Sequence, residues 1–154
     1  MRSLTTVLGL LVLGAPLAAA PPRNPLSIAQ YLYAHPDRVY TRDEAELSSN
    51  FFAPRLRKLY REDRAAHEGE APNLDFDFLS DSQDPSVTDV KVTADPSGIQ
   101  KDRQIVTVHF LEYGKTETEL FFFERQKGRW LISEVQCTTP GNEWTLSKIM
   151  EGGS

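Results

Sequence analysis

Apolar residues follow two different periods along this chain, and the change of period divides it near Gly69. At about 100° per residue, Phe52, Leu56, Leu59, Tyr60 and Asp63 share one helical face, with Arg57, Arg61 and Arg64 opposite. Ser48-Ser49-Asn50 offers an N-cap, Pro54 is tolerated in a first turn and Gly69 is a stop, so a helix is predicted to about His67. Earlier, Ser27 is expected to cap a short helix carrying Ile28, Tyr31 and Leu32, ended by His35-Pro36. Thr41 and Glu44 have capping-box spacing and predict a short helix to about Leu47. Residues 71–86 carry no helical period and are rich in Asp, Ser and Pro. Beyond them the period becomes two. Strands are predicted over 87–93, within 99–113, over 116–125 and over 129–137, with turns at 95–98, 114–115 and 126–128. Residues 143–150 predict a short final helix. Helices followed by hairpin-linked strands predict an α+β domain, with N-terminal helices packed on a curved antiparallel sheet of about four strands. Phe121-Phe122-Phe123 put aromatics on both faces of one strand, which calls for cover on both sides.

The first twenty residues read differently. Met1-Arg2-Ser3 is weakly basic, Leu4 to Leu13 is uncharged and apolar, and Ala18-Ala19-Ala20 forms a small-residue box. That order is a secretory signal, and its apolar run of about ten residues is too short to span a bilayer. The expected organisation is a signal peptide at 1–20, an extended lead-in at 21–26 and one domain over 27–151. Pro21 leaves the scissile bond open. The location implied is periplasmic or secreted, with no stable membrane anchor after cleavage. The chain has 154 residues and a net charge of −5, which argues against a nonspecific nucleic-acid binder. Its single cysteine, Cys137, excludes a disulfide scaffold and a cysteine-based zinc cluster. In an exported chain Cys137 either crosslinks to a partner or is a buried small hydrophobe.

Candidate chemistry is sparse. Asp63 is an acid on an apolar stripe: either a carboxylate aimed into a pocket, or one paired with an Arg. Residues 68–95 hold eight acids and one base, Lys91. The run fails the calcium-loop template, because Leu79, Ser80 and Ser86 stand where a ligand, a glycine and the bidentate Glu belong. No metal and no cofactor is expected. Within the run Asp77, Gln83 and Asp84 either reach a pocket mouth or tie down a loop that has no ladder of its own. His109 lies mid-strand, where packing competes with catalysis as its role. Trp130 reads as core or pocket wall, and Trp144 as a pin for the final helix. No nucleophile elbow, phosphate loop or paired zinc histidines occur.

Three stretches carry a resemblance: Leu56 to Asp63; Leu74 to Asp84, with its Gln83-Asp84 pair; and Gly128-Arg129-Trp130-Leu131-Ile132-Ser133-Glu134-Val135, followed by Thr145 to Met150. They resemble an exported bacterial family known as domain of unknown function 3828, within the cone-shaped, cystatin-like fold of the nuclear-transport-factor-2-like superfamily. Phe78 and Glu134-Val135 depart from that family's pattern, which often has Pro after the acid matching Asp77 and Asp-Ile near the end of the last strand. The resemblance implies fold, export and a pocket, and no reaction. The function expected is a noncatalytic exported binding module, monomeric or weakly dimeric, holding a small molecule or a protein partner. Tyr60, Asp63, Asp77, Gln83, Asp84, His109 and Trp130 are its pocket candidates. One alternative is a cofactor-free isomerase or lyase using Asp63 with Tyr60 or His109, since the superfamily contains such enzymes. Another is an immunity or inhibitor protein directed at an exported toxin or enzyme.

Overall fold

The computed structural model describes residues 23–35, 50–94, 96 and 100–153. The signal segment, the helix expected from Thr41 and most of the 95–98 turn lie outside them. The described chain is α+β. Helices α1 (Pro25–Ala34) and α2 (Pro54–Ala66) precede strands β1 (Val87–Ala94), β2 (Arg103–Glu112), β3 (Lys115–Gln126), β4 (Arg129–Cys137) and β5 (Trp144–Thr145), and α3 (Leu146–Met150) follows. The strands form one antiparallel sheet in chain order. The two-residue β5, paired to the end of β4, is the addition to the four strands expected.

Both helix starts correct the sequence reading. Asn24, not Ser27, caps α1: its Oδ1 accepts the Ser27 N–H at 2.8 Å, and Ser27 Oγ accepts the Asn24 N–H at 3.2 Å. Two orphan donors are thus satisfied reciprocally, with Pro25 at the first helical position. Helix α2 starts at Pro54, not after Asn50. The chain before it is pinned to β4, with Phe52 bridging Ile132 and the Ala53 N–H donating to the Ile132 carbonyl at 2.8 Å. The chain is helical at Asn50 and Phe51, and the extended backbone of Phe52 and Ala53 interrupts it until Pro54 opens α2.

The hairpins set the register. Tyr113-Gly114 and Lys127-Gly128 are two-residue loops with φ of 48° and 78° in each, the left-handed pair that matches strand twist. Residues of even number on β2 and odd number on β3 therefore share a face: Val106, Val108, Phe110, Phe121 and Phe123 are buried there. Ile28, Ala29 and Leu32 of α1 and Leu56 and Tyr60 of α2 join them in one core, together with Phe78 and Leu79 of the loop. Each Val, Leu, Ile or Phe side chain removed from water here contributes about 1.5–3 kcal/mol. The opposite face holds exposed His109 and half-buried Leu120 and Phe122. On β4 a bulge leaves Ser133 without a cross-strand partner, its Oγ donating to the Phe122 carbonyl at 3.1 Å. Beyond it Val135 and Cys137 turn to the covered face.

Candidate functional site

The covered face changes character toward one end. Going from Phe121 along β3 the same face next presents Glu119 and then Glu117, both buried. Pairing places Cys137 opposite Glu119 on one side and Val108 on the other. Glu112, the last residue of β2, is buried as well. A strand cannot hide Phe121 and Phe123 without also turning Glu117 and Glu119 inward, because side chains alternate strictly.

Two other elements close this end. Tyr33 of α1 packs against the rings of Phe110 and Phe121, and its hydroxyl donates to Glu119 Oε2 at 2.7 Å. The loop after α2 brings Asp77 and Asp81. Asp77 Oδ1 accepts the Leu79 N–H at 2.9 Å, and its carbonyl accepts the N–H groups of Ser80 and Asp81. Buried Phe78, Leu79 and Ser80 anchor the turn. Asp81 has φ of 56°, a left-handed conformation that aspartate tolerates better than most residues. Its carboxylate is held by the Trp144 indole N–H at 2.7 Å and by the Asn142 amide.

These groups form one electrostatic unit. Glu119 is fully buried, its Oε1 has no hydrogen-bond partner, and burial pushes its proton affinity well above the carboxylate range. The Tyr33 hydroxyl works against that shift, and the nearby Asp77, Asp81 and Glu117 carboxylates add to it. Asp77, 8% exposed, is raised to about 6, chiefly by burial; the Leu79 N–H and Ser80 oppose this and Glu112 reinforces it. Burial also raises Asp81, against its bonds to Asn142 and Trp144. The Cys137 thiol is raised by burial, with Asp81 and Glu119 adding to it, and its Sγ stands 3.9 Å from Glu117 Oε2. Glu112 accepts the Ser86 N–H on both oxygens, at 3.1 and 3.2 Å. Among the described residues none of these five acids makes an ion pair.

Of the pocket candidates read from the sequence, only Asp77 belongs to this cluster. Asp63 is buried, but its two oxygens accept the Asn73 and Leu74 N–H groups at 2.9 and 3.0 Å, which fastens the chain leaving α2. Tyr60 packs edge-on against Phe52 in the core. His109 is exposed on the opposite sheet face, bonded to Thr118 Oγ1, so it does not converge with Tyr60 and Asp63. Gln83 donates to Asp75 at the surface, and Asp84 is exposed, its carbonyl accepting the Tyr113 hydroxyl. Trp130 packs at the other end of β4 from Cys137, with the Arg125 guanidinium 5.9 Å from its ring centre. Trp144 lies in β5 against Phe76 rather than within the final helix.

Sequence reasoning missed Tyr33, Asp81, Glu112, Glu117, Glu119 and the orientation of Cys137. The available signal was parity: Glu117 and Glu119 alternate in step with Phe121 and Phe123. Comparison with protein-family models, with curated proteins and with solved structures finds no significant match.

Proposed function

We propose that this protein is an exported, noncatalytic binding module that holds a small cationic ligand at the acid-lined end of its helix-covered sheet face. The observation that supports this most directly is Glu119, fully buried with one oxygen unpartnered, among four further acids and no ion-paired base of the described chain. Two unit charges ~5 Å apart repel by about 3 kcal/mol at an effective dielectric of about 20. The cluster therefore cannot ionise fully by itself, and a bound cation removes that penalty. Asp81 is half-buried and bonds to exposed Asn142, which gives the cluster a side open to solvent.

In this reading the sheet and its helices make the cone of the nuclear-transport-factor-2-like superfamily, and the chain is a member of the exported family it resembles. Support comes from the three stretches described above and from the α+β order. The apolar run from Leu4 and the box at Ala18-Ala19-Ala20 support export to the periplasm or medium. The module acts as a monomer or weak dimer.

Thermal melts at pH 7.5 in the presence of divalent cations, a diammonium compound and matched sodium salts provide the test. At least one of the cations raises the melting temperature of wild type beyond the sodium control, and the Glu117→Gln/Glu119→Gln variant loses that response while staying folded. A wild type that no cation stabilises, or a double variant that responds fully, overturns the reading.

A further inference from the structure

We infer that Asp81, Glu117, Glu119 and Cys137 form a binding site for a thiophilic divalent cation, Zn²⁺ being the member that fits the donor set best. The inference rests on the cation-binding reading and names the ion. Asp81, Glu117 and Cys137 each offer a ligand atom, and these atoms all lie within 4.8 Å of one another. Donors around a four-coordinate zinc at about 2.0–2.3 Å stand roughly 3.5 Å apart. The three need only draw together slightly.

The second observation is independent of that grouping. Glu119 is entirely buried, and its Oε1 has no partner. It sits two residues from Glu117 on the same face of β3 and directly opposite Cys137 in the β3–β4 ladder. A buried carboxylate oxygen without a donor is costly, and a metal ion supplies what it lacks. Glu119 stands outside the group of three ligand atoms that lie within 4.8 Å of one another, and a shift of its side chain would bring Oε1 to the ion as a fourth donor.

The surrounding bonds are of the kind that orient metal ligands. Glu119 is held through its other oxygen by the Tyr33 hydroxyl at 2.7 Å. Asp81 is held by Trp144 at 2.7 Å and by Asn142. Such outer partners fix ligand orientation and still leave carboxylate lone pairs for the ion. Three of the four donors stand on paired strands, so the site is largely built before the ion arrives. Donor chemistry selects among ions. Calcium and magnesium want six or more oxygen donors or several waters, and gain nothing from sulfur. One sulfur and three carboxylates suit zinc, with cobalt(II) as its spectroscopic substitute.

The mature chain is stripped of metal with a chelator and then titrated with Zn²⁺ by calorimetry, with native mass spectrometry for stoichiometry, and separately with Co²⁺ by absorption. The expected results are one zinc per chain, a thiolate-to-cobalt charge-transfer band, and the intense visible bands of a four-coordinate ion. Cys137→Ser abolishes the charge-transfer band, and Cys137→Ser and Glu119→Gln each weaken zinc binding about tenfold or more. Circular dichroism confirms that both variants are folded, and the wild-type cobalt spectrum reports on the site without any variant. No zinc binding, or zinc binding with no charge-transfer band and no loss in Cys137→Ser, overturns the inference. Stabilisation of that same protein by another divalent cation or by the diammonium compound would leave the cation-binding reading standing; stabilisation by none of them would remove both.

Discussion

Replacing Asp77 by Asn tests whether the acid cluster strains the fold, and its sign is opposite to that of most core substitutions. Asp77 titrates at about 6 in the folded chain against an ordinary 3.8, because burial disfavours its charged form. The folded state therefore binds the proton more tightly than the unfolded state. Stability falls as pH rises from about 4 to about 6, and the full cost is present above that. Each factor of ten in proton affinity is 1.36 kcal/mol, so the cost at pH 7.5 is at most about 3 kcal/mol. Asparagine cannot ionise and keeps an Oδ1 to accept the Leu79 N–H. Asp77→Asn should be more stable than wild type by up to about 3 kcal/mol at pH 7.5, and about equal to it at pH 4. Urea unfolding of both proteins between pH 4 and 8, with chelator present, gives the difference curve. Glu119 also makes the wild type less stable at high pH, and subtracting the two proteins leaves mainly the Asp77 contribution. A difference that does not change with pH, or a variant destabilised at pH 7.5, would refute the reasoning.

Other groups make separate predictions. Asp63→Ala leaves two backbone N–H groups without acceptors and should cost about 2–4 kcal/mol in urea unfolding, with zinc affinity unchanged. Tyr33→Phe removes the donor to Glu119 Oε2 and leaves both oxygens of a fully buried carboxyl without a donor, which should cost about 1–3 kcal/mol in urea unfolding. Glu134 accepts both the N–H and the hydroxyl of Ser147 at the start of α3, so Glu134→Ala should speed amide exchange over 146–153 before the sheet is affected. Cys137 is buried and free, so a thiol reagent should modify it slowly in the native chain and immediately in denaturant.

Much of the architecture was legible because local rules governed it. The two-residue loops at Tyr113-Gly114 and Lys127-Gly128 and the alternation of Val106, Val108 and Phe110 put strands where the period-two pattern did. The buried stripe of α2, Leu56, Tyr60 and Asp63, follows the helical wheel. Helix starts were less legible because tertiary contacts decided them: nothing within 48–54 announces that Ala53 bonds to Ile132, far along the chain. Asp63 lay on the apolar stripe as read, but its partners are N–H groups of a loop ten residues on, which helical periodicity does not describe.

The acid cluster separates what register can reveal from what it cannot. Once Glu112 pairs with Lys115 across the first hairpin, counting along both strands sets Glu119 opposite Val108 and Glu117 opposite Phe110. Both acids were therefore readable as inward-facing from the turn and the two phenylalanines alone. Cys137 was not. Counting from the Gln126–Arg129 pair across the second hairpin would set Gln136 opposite Glu119 and send Cys137 to the open face. The extra residue at Ser133 advances the register by one, so Cys137 takes that place instead. A bulge carries no strong mark in a single sequence. Here it turns a thiol toward the carboxylates of Asp81, Glu117 and Glu119, and the proposed donor set depends on it.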